Sequence, residues 1–169
     1  MRIAPGGLLL SAALALGLSS AASATTTVMQ EGSTYHVAAC ANAVGLYAHC
    51  HAHIVTDKLG RAIASKQPPI NGLTPAQLRD AYKITTDGSS STIIAIVDAF
   101  GYPNAEADLA VYRAEWGLPA CTTENGCFKK LNQKGEEANY PEFNLGWAQE
   151  SALDLVMASG SRTNWSMRV

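Results

Sequence analysis

Past its first two dozen residues, no stretch of this chain approaches the roughly 20 consecutive apolar residues of a membrane-spanning helix, so no span is expected there. Basic runs are missing too. With 12 Lys and Arg against 14 Asp and Glu, the net charge of -2 leaves no footprint for nucleic acid as a partner. No Gly-rich phosphate cradle, His-Glu-x-x-His or Cys-x-x-Cys occurs, and no histidine follows His53. Neither repeats nor low-complexity segments interrupt the chain. What is there, 169 residues of which 47% are hydrophobic and 15% charged, fits one modest domain.

Arg2 precedes an apolar run over residues 6–18, and small residues then end in Ala22-Ser23-Ala24. This is the pattern of a secretory signal, residues 1–24, cleaved after Ala24. The mature chain is expected outside the cytoplasm, extracellular or periplasmic. In an oxidising compartment the four cysteines become disulfide candidates with three possible pairings. Local pairs, Cys40 with Cys50 and Cys121 with Cys127, are the simplest; free thiols or a crossed pairing are the alternatives.

Residues 25–70 form an N-terminal extension holding all four histidines, His36, His49, His51 and His53. The alternation in His49-Cys50-His51-Ala52-His53-Ile54-Val55 is strand-like and would project three imidazoles to one side. Such a row could share a zinc ion, but Cys50 points the other way, and an exposed strand or loop face is the expected reading, with no metal assigned. Lys66-Gln67-Pro68-Pro69-Ile70-Asn71-Gly72 is a breaker cluster and a boundary.

Thr74-Pro75-Ala76-Gln77 is a capping box with proline at the first helical position. Thr92-Ile93-Ile94-Ala95-Ile96-Val97 is an unbroken, largely β-branched run, expected as a strand covered on both faces. Asn104 is the expected cap of a helix over residues 105–116, with Leu109, Tyr112 and Trp116 on one side and Gly117 and Pro119 ending it. Phe128-Lys129-Lys130-Leu131 suits a second strand, and residues 133–144 read as loop.

Residues 146–158 form an amphipathic helix with Trp147, Leu153, Val156 and Met157, several alanines and two acids, Glu150 and Asp154. Four residues apart, the acids lie one turn from each other on the same face, with Cβ atoms about 5 to 6 Å apart. On a wet stripe their repulsion is trivial. In low-dielectric surroundings one apparent pKa rises and one carboxyl becomes a base oriented by its partner. The apolar neighbours favour burial. Two glycosidase acids would have to flank a sugar from different sides, which one helix face does not provide. Asp98, at the carboxyl end of its strand, stands where open α/β sheets place functional groups. An Asp, His, Ser triad in that chain order fails, because no histidine follows Asp98.

Glu150 and Asp154 on an Ala-rich helix, Ala95-Ile96-Val97-Asp98-Ala99-Phe100, and Gly72-Leu73-Thr74-Pro75-Ala76-Gln77-Leu78 together resemble the sedolisin family of serine-carboxyl peptidases. The resemblance covers roughly residues 72–158. It implies an α/β fold, a subtilisin-like parallel sheet with flanking helices, incomplete in this chain. It further implies that Glu150 is the general base for a serine, that Asp154 orients Glu150, and that Asp98 caps backbone amides or lines the cleft. Polypeptides at acidic pH are the implied substrates, and residues 25–70 become either a structured extension or a short prosegment. The family's Gly-Thr-Ser nucleophile and its oxyanion-hole aspartate find no match in this sequence. Calcium is expected only in the C-terminal part that is missing here, so the chain has no cofactor of its own. The peptidase-like part spans residues 71–158, and residues 159–169 read as a polar, unpatterned, divergent tail. The chain is thus expected to be inactive as it stands, a truncated peptidase; the alternative is an exported binding protein or pseudoenzyme fragment.

Overall fold

The computed structural model describes residues 27–42, 45–63, 73–89, 91–161 and 166–169; the expected signal at 1–24 and the breaker cluster at 66–72 lie outside them. The described chain is mixed α/β, with two three-stranded sheets.

The first sheet is an antiparallel meander of β1 (Met29–Glu31), β2 (Thr34–Ala38) and β3 (His53–Thr56). Gly32, at φ 57°, makes the tight turn between β1 and β2. Period-two alternation buries Val37 and Thr56 on one face and leaves His53 and Val55 exposed on the other. The Cys40–Cys50 disulfide closes the segment between β2 and β3, with Cα atoms 5.8 Å apart. The strand over 49–55 starts only at His53, because the amides of His51 and Ala52 bond the Glu150 carboxylate instead of a neighbouring strand.

The second sheet is parallel, in the order β4 (Ile93–Ala95), β6 (Ser166–Arg168), β5 (Phe128–Lys129). Residues expected as an unpatterned tail therefore supply its middle strand. Met167 sits opposite Ile94 and Phe128 and is 2% exposed, so one apolar residue between two polar ones anchors β6. β4 is an edge rather than a strand covered on both faces. It pairs only with β6 among the described strands, and Ile93 and Val97 are 58% and 90% exposed.

Helices connect the strands. α1 (Pro75–Ala81) begins with the capping box: Thr74 Oγ1 accepts from Gln77 N, and Gln77 Oε1 accepts from Thr74 N at 2.9 Å. α2 (Ala105–Glu115) ends where Gly117 adopts φ 62°. Asn104 gives no side-chain cap, since at φ -89°, ψ 8° it lacks the extended backbone a capping side chain needs. α3 (Leu145–Ser161) packs against both α1 and α2. Its buried side carries Ala148, Ser151, Leu155 and Ser159, while Leu153 and Met157 are exposed, so only one side of this helix is covered.

The core gathers Tyr102, Ala105, Leu109, Cys121, Phe128, Ala148, Leu155 and Met167. The Cys121–Cys127 disulfide, with Cα atoms 4.9 Å apart, closes the loop that leads into β5. Both cross-links suit an oxidising compartment. Among the described residues no helix is long and apolar enough to cross a membrane.

Candidate functional site

The carboxyl ends of the parallel strands open into a cleft of about 650 Å³. Asp98, Tyr102, Lys130, Tyr140, Ser151 and Arg168 contribute its polar lining. Open parallel sheets carry functional groups at this end because the loops leaving the strands diverge there. Phe100, two residues past Asp98, holds φ 64°, a costly conformation for an aromatic residue. The Phe100 ring lies 6.5 Å from that of Trp147, and the amide of Gly101 donates to Glu142 O, fixing the turn out of the Asp98 segment.

Asp98, Glu150 and Asp154 stand close enough to act on one another electrostatically. Burial raises the Asp98 carboxyl above its ordinary range, and the neighbouring Glu150 charge adds to this, while a hydrogen bond with Ser151 pulls the other way. Ser151 Oγ gives its single hydroxyl proton to Trp147 O at 2.9 Å. Asp98 Oδ2 is buried without a hydrogen-bond partner, so Asp98 does not cap amides through that oxygen. Asp154 is likewise raised, first by burial, then by Asp98, then by Glu150. The sequence pairs Asp154 with Glu150; the structure adds Asp98 as the stronger electrostatic neighbour. No local pattern could reveal that, because 56 positions separate Asp98 from Asp154.

Glu150 is held from another direction. Its Oε2 accepts the amides of His51 at 3.0 Å and Ala52 at 2.6 Å. Those donors follow Cys50, whose disulfide with Cys40 fixes the segment. Nearby, at Gly146, α3 closely approaches the segment that follows β2, and a Cβ there would come within 2.6 Å of Ala39 O and 2.8 Å of Cys40 Sγ. Glu150 and Asp154 do not line the cleft; Asp98 and Ser151 do, and they connect the acid pair to it.

The histidines separate into two pairs. His49 and His51 meet edge to face, with ring centroids 5.2 Å apart, whereas His53 approaches His36 across the sheet, Nδ1 to Nδ1, at 2.9 Å. The expected row of His49, His51 and His53 is therefore not formed. Among the described residues no three His, Cys, Asp or Glu side chains converge as a ligand set.

No family model, curated protein or solved structure matches the chain.

Proposed function

We propose that Glu150, Asp154 and Asp98 form the carboxyl side of a serine-carboxyl peptidase site of the sedolisin type, on a subtilisin-like sheet, in a secreted protein acting on polypeptides at acidic pH. The observation supporting this most is that two of the three acids, Asp98 and Asp154, are held above the usual carboxylate range beside a third. Carboxyls raised by burial beside a cleft are the kind of perturbed groups that acid-base sites use. In this reading Glu150 accepts a serine hydroxyl proton through Oε1, since Oε2 already takes two amides. Asp154 orients Glu150, and Asp98, its carboxyl raised by burial, lines the cleft. The sequence contains no Gly-Thr-Ser, so the hydroxyl must come from outside these 169 residues, and this chain by itself is expected to cleave nothing.

A second reading, an exported non-catalytic binding protein, is favoured by one observation. The Glu150 carboxylate already works as a structural acceptor that ties the N-terminal sheet to α3. The two are separated by expressing the native coding DNA with its downstream sequence and assaying a denatured protein at about pH 3 to 5. The peptidase reading expects cleavage that disappears in Glu150→Gln. Absence of cleavage from every product, together with a monodisperse and cooperatively unfolding chain that has lost the expected signal at residues 1–24, favours the binding protein.

A further inference from the structure

We infer that His36 and His53 form a surface site for a divalent transition-metal ion of the tetragonal, imidazole-preferring kind, Cu²⁺ above all, that clips β2 to β3. The register carries this. Ala38 pairs with His53 and Val55 pairs with His36, so the two histidines are diagonal neighbours on one face of the antiparallel pair. That face is the outer one, where Ala38, His53 and Val55 are all exposed, so an ion reaches the rings from solvent.

The Nδ1 atoms lie 2.9 Å apart with ring planes inclined by 64°. One proton serves this contact: one ring donates through Nδ1–H and the other accepts, so the two nitrogens already converge on a shared point. Two metal–nitrogen bonds of about 2.0 to 2.1 Å set at a right angle span about 2.9 Å, whereas a tetrahedral angle demands about 3.3 to 3.4 Å. From this hydrogen-bonded spacing, adjacent corners of a square are reached without moving the nitrogens apart, whereas a tetrahedral Zn²⁺ site needs them to part by about 0.4 to 0.5 Å, which favours Cu²⁺ and Ni²⁺. When the ion binds, the donor ring's proton moves from Nδ1 to its own Nε2, so both imidazoles stay neutral and both Nδ1 lone pairs donate. Water completes the coordination. Met29 on β1 lies directly opposite His36 on the same face, so a thioether stands beside the site.

His49 and His51 supply an internal control. Their rings meet edge to face at 5.2 Å between centroids, and both precede β3 on one segment instead of facing each other across two paired strands. The experiment adds Cu²⁺ in substoichiometric steps to the full chain and follows imidazole proton resonances, alongside calorimetric titration. Expected are selective broadening of His36 and His53, reversal by chelator, a higher thermal midpoint with metal, and weaker binding of Zn²⁺. His36→Gln and His53→Gln should each lower the Cu²⁺ affinity by at least about 10- to 100-fold, while a His49→Gln/His51→Gln double variant keeps it. Broadening confined to His49 and His51, or an affinity unchanged in His36→Gln, overturns the inference. The resonance experiment needs no variant, so it discriminates between the two histidine pairs even where a substitution disturbs the sheet.

Discussion

Oε2 of Glu150 on α3 accepts the backbone amide of Ala52 at 2.6 Å, across 98 positions of chain. One carboxylate oxygen thereby joins the antiparallel N-terminal sheet to the helix that carries the acid pair. A backbone amide held away from water needs such an acceptor, and an ionised one is the stronger choice. The close approach of Gly146 to Ala39 and Cys40 brings the two surfaces near enough for this bond to form. These contacts tie the N-terminal sheet to the helix that carries the acid pair, so perturbing either is expected to be felt at the other.

The first consequence concerns stability. Glu150→Ala leaves the amides of His51 and Ala52 without their acceptor and is expected to destabilise the fold by about 1.5 to 3 kcal/mol, the range for hydrogen bonds to a charged group. Glu150→Gln keeps a carbonyl in place and should lose less than half of that. Urea unfolding midpoints measure both; equal losses would show that geometry, not the acceptor, was being tested.

A pH effect follows from Asp154. Its carboxyl is raised above 3.8 by burial and by the Asp98 and Glu150 charges, so between the unfolded and folded values the folded state binds more protons. Stability from this group is therefore fully present below about pH 3.8 and falls as pH rises through the raised folded value. Asp154→Asn is expected to unfold at higher urea than the parent above that window and to match it below. The gain should be under about 1 kcal/mol, because the side chain is partly solvated. Glu106, lowered by its bonds to Thr123, has the opposite sign, so the difference between variant and parent, not the parent profile, is the quantity to plot.

Local signals in the sequence carried the helices well. The capping box at Thr74 and Gln77 and the stop at Gly117 depend on neighbours within a turn or two and stand where those residues put them. α3, by contrast, runs on to Ser161, past the expected end at 158 and into the residues read as tail, and buries mostly small residues rather than Leu153 and Met157. What escaped was non-local. β6 is three residues long with a single buried side chain, Met167, too little to register as a pattern, and it becomes a strand only because β4 and β5 flank it. The His36–His53 contact depends on a register that no one-strand alternation encodes. Asp98 and Asp154 influence each other only once the loop after β4 and the helix α3 are brought together. β4 misled in the other direction, since an apolar run promises burial on two faces and the described fold covers less than that.

Helix packing gives a third test at Gly160. A Cβ there would fall 2.6 Å from the Tyr112 hydroxyl on α2, with Pro75 of α1 at 3.7 Å. In an isolated helix alanine is favoured over glycine by about 1 kcal/mol, but forced overpacking costs about 1 to 3 kcal/mol. Gly160→Ala is therefore expected to be net destabilising. Tyr112→Phe removes the offending oxygen, so the double variant should recover most of the loss; simple additivity of the two effects in denaturant titrations would mean that the helices do not meet at this point.

The disulfide beside Glu150 supplies the last test. Cys40 and Cys50 are separated by 10 positions and Cys121 and Cys127 by 6. Chain entropy alone assigns closures of this size about 2 to 3 kcal/mol each, with the longer slightly ahead. The two sites differ in what else they hold. Cys121 is packed into the core, whereas Cys50 precedes the two amides that bind Glu150. Cys40→Ser/Cys50→Ser is thus expected to loosen the 51–52 segment and shed the Glu150 bonds. Amide exchange at His51 and Ala52 should then accelerate far more than exchange in α2. Combining it with Glu150→Ala should cost less than the sum of the two, because each removes part of the same contact. Full additivity would show that the disulfide and the carboxylate hold the N-terminal sheet independently.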